Sequence, residues 1–183
     1  PLIGLHLGQD TQPGNLDIVG LLLMSCSNLE EALEMLVDYQ QIIGDGGEFF
    51  LERGNPVWHL RYEPHFHCRT RERVEAVFAM LLQLGRWTSG GAFVPHCVHF
   101  QHRAATDLAA YEQLLGCTAD FEARNNEICF TSEQAALPLI QSHPAVTRHL
   151  RLLADQMLSS LDSLTLTSQV QGLLQKTPAA NKD

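Results

Sequence analysis

The stretch Val98–Leu139, VHFQHRAATDLAAYEQLLGCTADFEARNNEICFTSEQAALPL, decides how this chain is read. Cys97–Gln101 has the apolar alternation of a short strand, and a polar break follows it. Thr106 is placed to cap a short helix that Gly116 ends. Thr118–Glu122 and Glu127–Thr131 then pattern as two strands of a hairpin, turned through Arg124, Asn125 and Asn126. A leucine-proline step, Leu137–Leu139, closes the stretch.

The same order of elements occurs upstream. Ser27 with Glu30, or Asn28 with Glu31, offers a capping box. Leu29, Ala32, Leu33, Leu36 and Ile43 follow on one helical face, and Gly44 stops the helix. Glu48–Arg53 and Val57–Tyr62 then form a hairpin about Gly54, Asn55 and Pro56. Neither unit buries enough surface alone. The expected fold is therefore α+β, a small antiparallel sheet built from two helix-hairpin units and packed under helices.

A further helix starts after Thr70, with Val74, Val77, Phe78, Leu81 and Leu82 at helical spacing, and Ser89-Gly90-Gly91 breaks it. Residues 1–17 mix glycine, proline and polar residues, and are expected to be loop-rich. From Pro144 the character changes to a C-terminal helical extension, capped by Ser142. Val146, Leu150, Leu153, Met157, Leu158 and Leu161 form an apolar stripe along it. Val170, Leu173 and Leu174 continue a helical pattern before a polar tail, Thr177–Asp183.

At 183 residues the chain accommodates one well-cored domain with a helical extension. It carries 21 acidic against 12 basic side chains, a formal net charge of −9. Such a surface repels phosphate and argues against nucleic-acid binding by this piece. The five cysteines form no CxxC pair and cannot all be paired within one chain, which fits reduced thiols in a cytoplasmic protein. The run Ile18–Met24 is too short to span a bilayer, so no membrane association is expected.

Among nine histidines, His65, His67 and Cys68 lie close in sequence, as do His96, Cys97, His99 and His102. Neither set has standard zinc-finger spacing, and only alternate residues of a strand share a face, so no metal and no cofactor are expected. Ser25-Cys26-Ser27 is read as a helix start rather than a nucleophile. Gly44-Asp45-Gly46-Gly47 follows a helix instead of preceding one, which makes it a turn and not a phosphate cradle. No G-x-S-x-G, P-loop or dinucleotide fingerprint occurs, and no enzyme is expected.

Alternation places Trp58, Leu60 and Tyr62 on one sheet face and Val57, His59 and Arg61 on the other. Glu48, Phe50 and Glu52 join the second face from the neighbouring strand. The expected small-ligand contacts are Arg61 and His59 as polar anchors, Phe50 as a wall, and His99 and Gln101 from the adjoining strand. The stripe residues Leu150, Leu153, Met157 and Leu161 are the expected homodimer contacts.

The residues quoted first also closely resemble the sensory half of AraC/XylS-type bacterial transcription activators. That family has V-x-F-x-H, then D-L-x-x-Y-x-x-L-F-G-C, then N-x-L-x-F and L-x-x-P-L. This chain supplies Val98, Phe100 and His102; Asp107, Leu108, Tyr111, Leu114, Gly116 and Cys117; Asn126, Ile128 and Phe130; and Leu137 and Leu139. Leu21–Leu36 resembles a further family step, with Asn28 in place of its threonine, and Ala105-Thr106-Asp107 replaces a P-A-D.

The resemblance implies an effector-sensing domain at 1–141 and a linker and dimerisation helix at 142–162. Residues 163–183 would open a helix-turn-helix domain that is otherwise missing. The implied partners are a small-molecule effector, a second copy of the chain, and promoter DNA reached only through the absent C-terminal domain. The alternative is a stand-alone ligand-binding or interaction module of the same fold.

Overall fold

The computed structural model describes residues 2–11 and 16–176, with side chains followed to residue 164. The order of elements is α1 (Ile3–Gln9), α2 (Asp17–Ser25), α3 (Leu29–Ile43), β1 (Gly47–Glu52), β2 (Val57–Pro64), α4 (Thr70–Thr88), β3 (Cys97–His99), α5 (Leu108–Leu115), β4 (Thr118–Asp120), β5 (Asn126–Thr131), α6 (Ser132–Ala135) and α7 (Pro144–Lys176). The class is α+β, with a C-terminal helix. The side chains of Val170, Leu173 and Leu174 and the tail 177–183 lie outside the described residues.

One sheet carries the strands in the order β1-β2-β5-β3-β4. All its pairs are antiparallel except β3 with β4, which run parallel. This corrects the second hairpin: β4 and β5 are not neighbours, because β3 lies between them. The Arg124–Asn126 turn therefore joins strands that do not pair, and the expected internal repeat ends at Gly116. The strand at Cys97 is also shorter than expected, since it ends at His99.

Alternation explains which face is buried. Trp58, Leu60 and Tyr62 of β2 are at most 8% exposed, and Ile128 and Phe130 of β5 and Val98 of β3 join them in the core. Leu22, Leu36, Phe78, Leu82 and Tyr111 cover that face from the helices. Each such aliphatic or aromatic side chain contributes roughly 1.5–3 kcal/mol by leaving water.

Several local expectations need correction. The N-terminal segment is helical over Ile3–Gln9 rather than loop-rich. Its Gly4 and Gly8 sit one turn apart against α4, where an added Cβ would lie 2.2 Å from the Glu72 and Ala76 carbonyl oxygens. Those glycines permit close helix contact and are not loop signals here. The run containing Ile18–Met24 is a separate helix, α2, ahead of the α3 cap.

At that cap Asn28 accepts a bond from the Glu31 amide at 2.8 Å, while the Ser27 amide donates back to the Glu31 carboxylate at 2.6 Å. The Asn28–Glu31 option is thus the one adopted. Ile43 is 37% exposed and off the core face. Asp107, not Thr106, caps α5 by accepting from the Ala110 amide at 2.9 Å. Gly116 closes α5 at φ +72°, a left-handed conformation that glycine adopts without strain. His143 rather than Ser142 caps α7, its Nδ1 accepting from the Val146 amide at 3.3 Å.

Candidate functional site: the outer face of the sheet

Most side chains opposite the core face of the sheet stay partly or fully exposed, Cys129 excepted, because the helices gather on the other side. Register arranges them in two rows. One row runs Glu52, His59, Cys129, Cys97 and Thr118; the next runs Phe50, Arg61, Glu127, His99 and Asp120. Of the five expected ligand contacts, Phe50, His59, Arg61 and His99 are therefore brought onto one surface.

Arg61 lies with its guanidinium carbon 4.6 Å above the centre of the Phe50 ring, within reach of a cation–π attraction. Its Nη1 donates to Glu63 at 2.7 Å, and its Nε is 3.4 Å from Glu52. Both carboxylates are more than half exposed, so they hold the guanidinium weakly. His59 sits with Nδ1 3.4 Å from Glu127 and 3.5 Å from the Cys129 sulfur. His99 places Nδ1 2.9 Å from Glu127 and Nε2 3.4 Å from Asp120. Burial pushes the Cys97 and Cys129 thiols above their ordinary range.

Gln101 is not brought to this surface. Its side-chain carbonyl accepts from Asn126 and its amide donates to the Arg124 carbonyl, both at 2.8 Å. It clamps the turn before β5, and Asn126 completes the clamp by accepting from the Gln101 backbone amide at 3.0 Å. Position 101 lies beyond the end of β3, so strand alternation no longer governs it.

A second polar cluster lies inside the fold, and sequence reasoning missed two members of it, Arg71 and Glu75. Tyr111 donates to Glu75 at 2.7 Å and accepts from the Ala105 amide at 3.2 Å. His102 Nε2 is 3.7 Å from the same Glu75 oxygen, and Arg71 Nε is 3.8 Å away. Glu75 is 1% exposed, and burial raises its pKa although the Tyr111 bond opposes the shift. Burial likewise pushes Tyr111 up to about 12 and lowers His102. The Val77–Phe78–Leu81 helical pattern gave no sign that Glu75 faces inward. The cluster ties α4, α5 and the loop between β3 and α5 together.

The remaining expected residues lie on α7. Its inner face docks through Thr147, which donates to the Ser25 carbonyl at 2.6 Å, and through fully buried Ala154. Leu150 and Leu158 are partly buried against the core, so Leu150 faces the domain rather than outward. Leu153, Met157 and Leu161 are 48%, 37% and 39% exposed. With Ile18, Ile42 and Leu164 they line an apolar groove of about 480 Å³. Beneath the sheet, a narrow cavity of about 40 Å³ lies among Leu33, Leu82, Phe93 and Phe130. No helix among the described residues is long and apolar enough to cross a membrane.

Residues 1–139 match the family described as the N-terminal arabinose-binding domain of AraC transcription regulators. The ornithine utilization regulator of Pseudomonas aeruginosa is 23% identical over 181 residues, which cover 97% of this chain and 53% of that protein. The chain thus spans about half the length of that curated relative. The crystal structure of the transcriptional regulator CdpR from Pseudomonas aeruginosa has a similar fold, with a TM-score of 0.69 at 14% identity. That likeness covers 80% of this chain and 49% of CdpR.

Proposed function

From the premise that this chain belongs to the N-terminal arabinose-binding domain family of AraC transcription regulators, we propose that it senses a small cytosolic metabolite on the outer sheet face. Binding there controls how an attached helix-turn-helix region sits on promoter DNA. The family is one of transcription regulators and not of enzymes. The division into a sensing part at 1–141, a linker helix at 142–162 and the start of a DNA-binding part from 163 belongs to this proposal. So does the cytoplasmic setting. Across residues 162 and 163 α7 runs unbroken, which would couple the two parts mechanically.

The observation that carries the reading is the Phe50–Arg61 platform, with His59 and His99 beside it. A guanidinium held over a ring and paired, among the described residues, with exposed carboxylates is ready to exchange them for a ligand carboxylate. Glu52, Glu63 and Glu127 around it suit a ligand that also carries an ammonium group. An amino-acid-like effector meets both requirements, and the name of the ornithine utilization regulator is in keeping with it.

The signal requires different ligand affinities for two arrangements of a dimer. The exposed α7 stripe Leu153, Met157 and Leu161, set in an apolar groove with Ile18 and Ile42, is the proposed contact between copies. Leu150 supports that helix from within. A thermal-shift screen of amino acids, polyamines, sugars and fatty acids, with ornithine first, tests the sensing role. A ligand at 100 times its Kd stabilises the fold by about 2.7 kcal/mol. No shift with any class would count against small-molecule sensing by this domain.

A further inference from the structure

The outer face also gathers sulfur and imidazole in a pattern that an organic effector does not require. Cys97 of β3, Cys129 of β5 and His59 of β2 lie side by side in one row, and His99 adjoins them from the next. The Cys97 sulfur is 3.3 Å from His99 Nε2, and the Cys129 sulfur is 3.5 Å from His59 Nδ1 and 3.9 Å from His99 Nδ1. One donor atom from each of Cys97, His99 and Cys129 falls within 4.8 Å of the others, and so does one from each of His59, Glu127 and Cys129.

We propose that Cys97, Cys129, His99 and His59 bind one soft transition-metal ion with zinc-like preferences. Tetrahedral bonds of about 2.3 Å to sulfur and about 2.0 Å to nitrogen give edges between ligand atoms of roughly 3.3–3.8 Å. The Cys97–His99 Nε2 and Cys129–His59 Nδ1 separations, 3.3 and 3.5 Å, already lie within those edges without an ion. Glu127 stands 2.9 Å from His99 Nδ1, the position of a carboxylate that orients a ligating imidazole bonding through Nε2. Cys129 is only 1% exposed on the face that the helices leave bare.

Two thiols and two imidazoles select zinc, cobalt or cuprous ions over magnesium or calcium, which take oxygen ligands. For a divalent ion, both thiols lose their protons to solvent as the two metal–sulfur bonds form, and the two thiolates neutralise the ion. Phe50 and Arg61 stay outside the set, whereas His59 and His99 belong to both readings, and the thiolate signature reads the metal site alone. Of the histidine and cysteine sets adjacent in sequence, only Cys97 and His99 take part. His65, His67, Cys68 and His96 are exposed, and His102 stacks on Phe100 at 4.8 Å.

Cobalt(II) titrated into the reduced chain is the test. The expected result is one equivalent bound, with the visible bands of tetrahedral cobalt, a near-ultraviolet thiolate charge-transfer band, and displacement of both by zinc. Cys97→Ser and Cys129→Ser should each abolish the charge-transfer band at one equivalent, whereas Cys68→Ser and Cys117→Ser should keep it. Should Cys129→Ser fail to fold by circular dichroism, the half-exposed Cys97 carries the same test alone. Glu127→Gln should weaken binding roughly 10–100-fold. Absence of the bands from the folded, reduced chain, or their persistence in Cys97→Ser, would overturn the proposal. A Cys97–Cys129 disulfide that forms in air and leaves no cobalt spectrum after reduction would overturn it equally.

Discussion

On the inner face of the sheet, β2 and β5 present Trp58, Leu60, Tyr62, Ile128 and Phe130, all nearly sealed from water. On the outer face the same two strands present His59, Arg61, Glu127 and Cys129, three of them partly exposed and every one able to bind something. The two sets alternate residue by residue along the same backbone. The contrast teaches that the fold's stability and the domain's chemistry are drawn from the same strands without competing for side chains. A change on the inner face is paid in folding, whereas a change on the outer face falls on whatever is bound there.

The sharpest break between the faces should come from paired truncations. Phe100 is fully buried and packs on Phe78, Phe121 and Tyr111 with ring centres 5.4–6.3 Å apart. Phe100→Ala should cost about 3–5 kcal/mol by urea unfolding. Phe50→Ala on the outer face should cost clearly less. Equal losses would mean that the outer face is as much a folding surface as the inner one.

The buried polar cluster gives the next effect. Tyr111→Phe strands the Glu75 oxygen and the Ala105 amide, and should cost about 1–3 kcal/mol. Glu75→Gln keeps the acceptor and removes the charge. The Glu75 pKa is raised, so the stability it contributes is full below the ordinary carboxylate range and is lost as pH rises through the raised value. The Gln variant has no such loss, and should gain on the parent as pH rises from acid to neutral. His102, lowered by burial, acts in the opposite sense, losing stability as pH falls through its lowered value. Urea midpoints for the two chains across that range check the sign, and a Gln variant that loses ground as pH rises would contradict it.

Much of this was legible in the sequence for a physical reason. Val98, Phe100, Tyr111, Ile128 and Phe130 are core residues whose spacing betrays their element, and Gly116 terminates a helix wherever that pattern occurs. Sheet order was not legible. Placing β3 between β4 and β5 depends on pairing between distant segments, and the Arg124–Asn126 turn resembles a hairpin turn although its strands do not pair. The candidate site was half legible. Alternation alone put His59, Arg61 and Phe50 on one face, but His59 and Cys129 are 70 residues apart and meet only through register. Gln101 was misplaced because the strand ends two residues before it.

A smaller effect on the fold is expected on α7. Leu153→Lys with Met157→Lys alters exposed positions and should leave unfolding within about 0.5 kcal/mol per site. Sedimentation should then show a dimeric parent and a monomeric, folded variant. A parent that is monomeric at high concentration would remove α7 as the contact between copies.

A comparably small effect on the fold is also the most direct test of the outer face as the sensing surface. Among the described residues the ion-pair partners of Arg61 are exposed carboxylates, so Arg61→Ala should change apo stability by about 0–1 kcal/mol. The decisive measurement compares the melting-temperature shift produced by the first stabilising compound from the screen in the parent and in Arg61→Ala. The account predicts a shift in the parent, none in the variant, and apo melting points that nearly coincide. An undiminished shift in Arg61→Ala would contradict it and move the ligand off the Phe50–Arg61 platform.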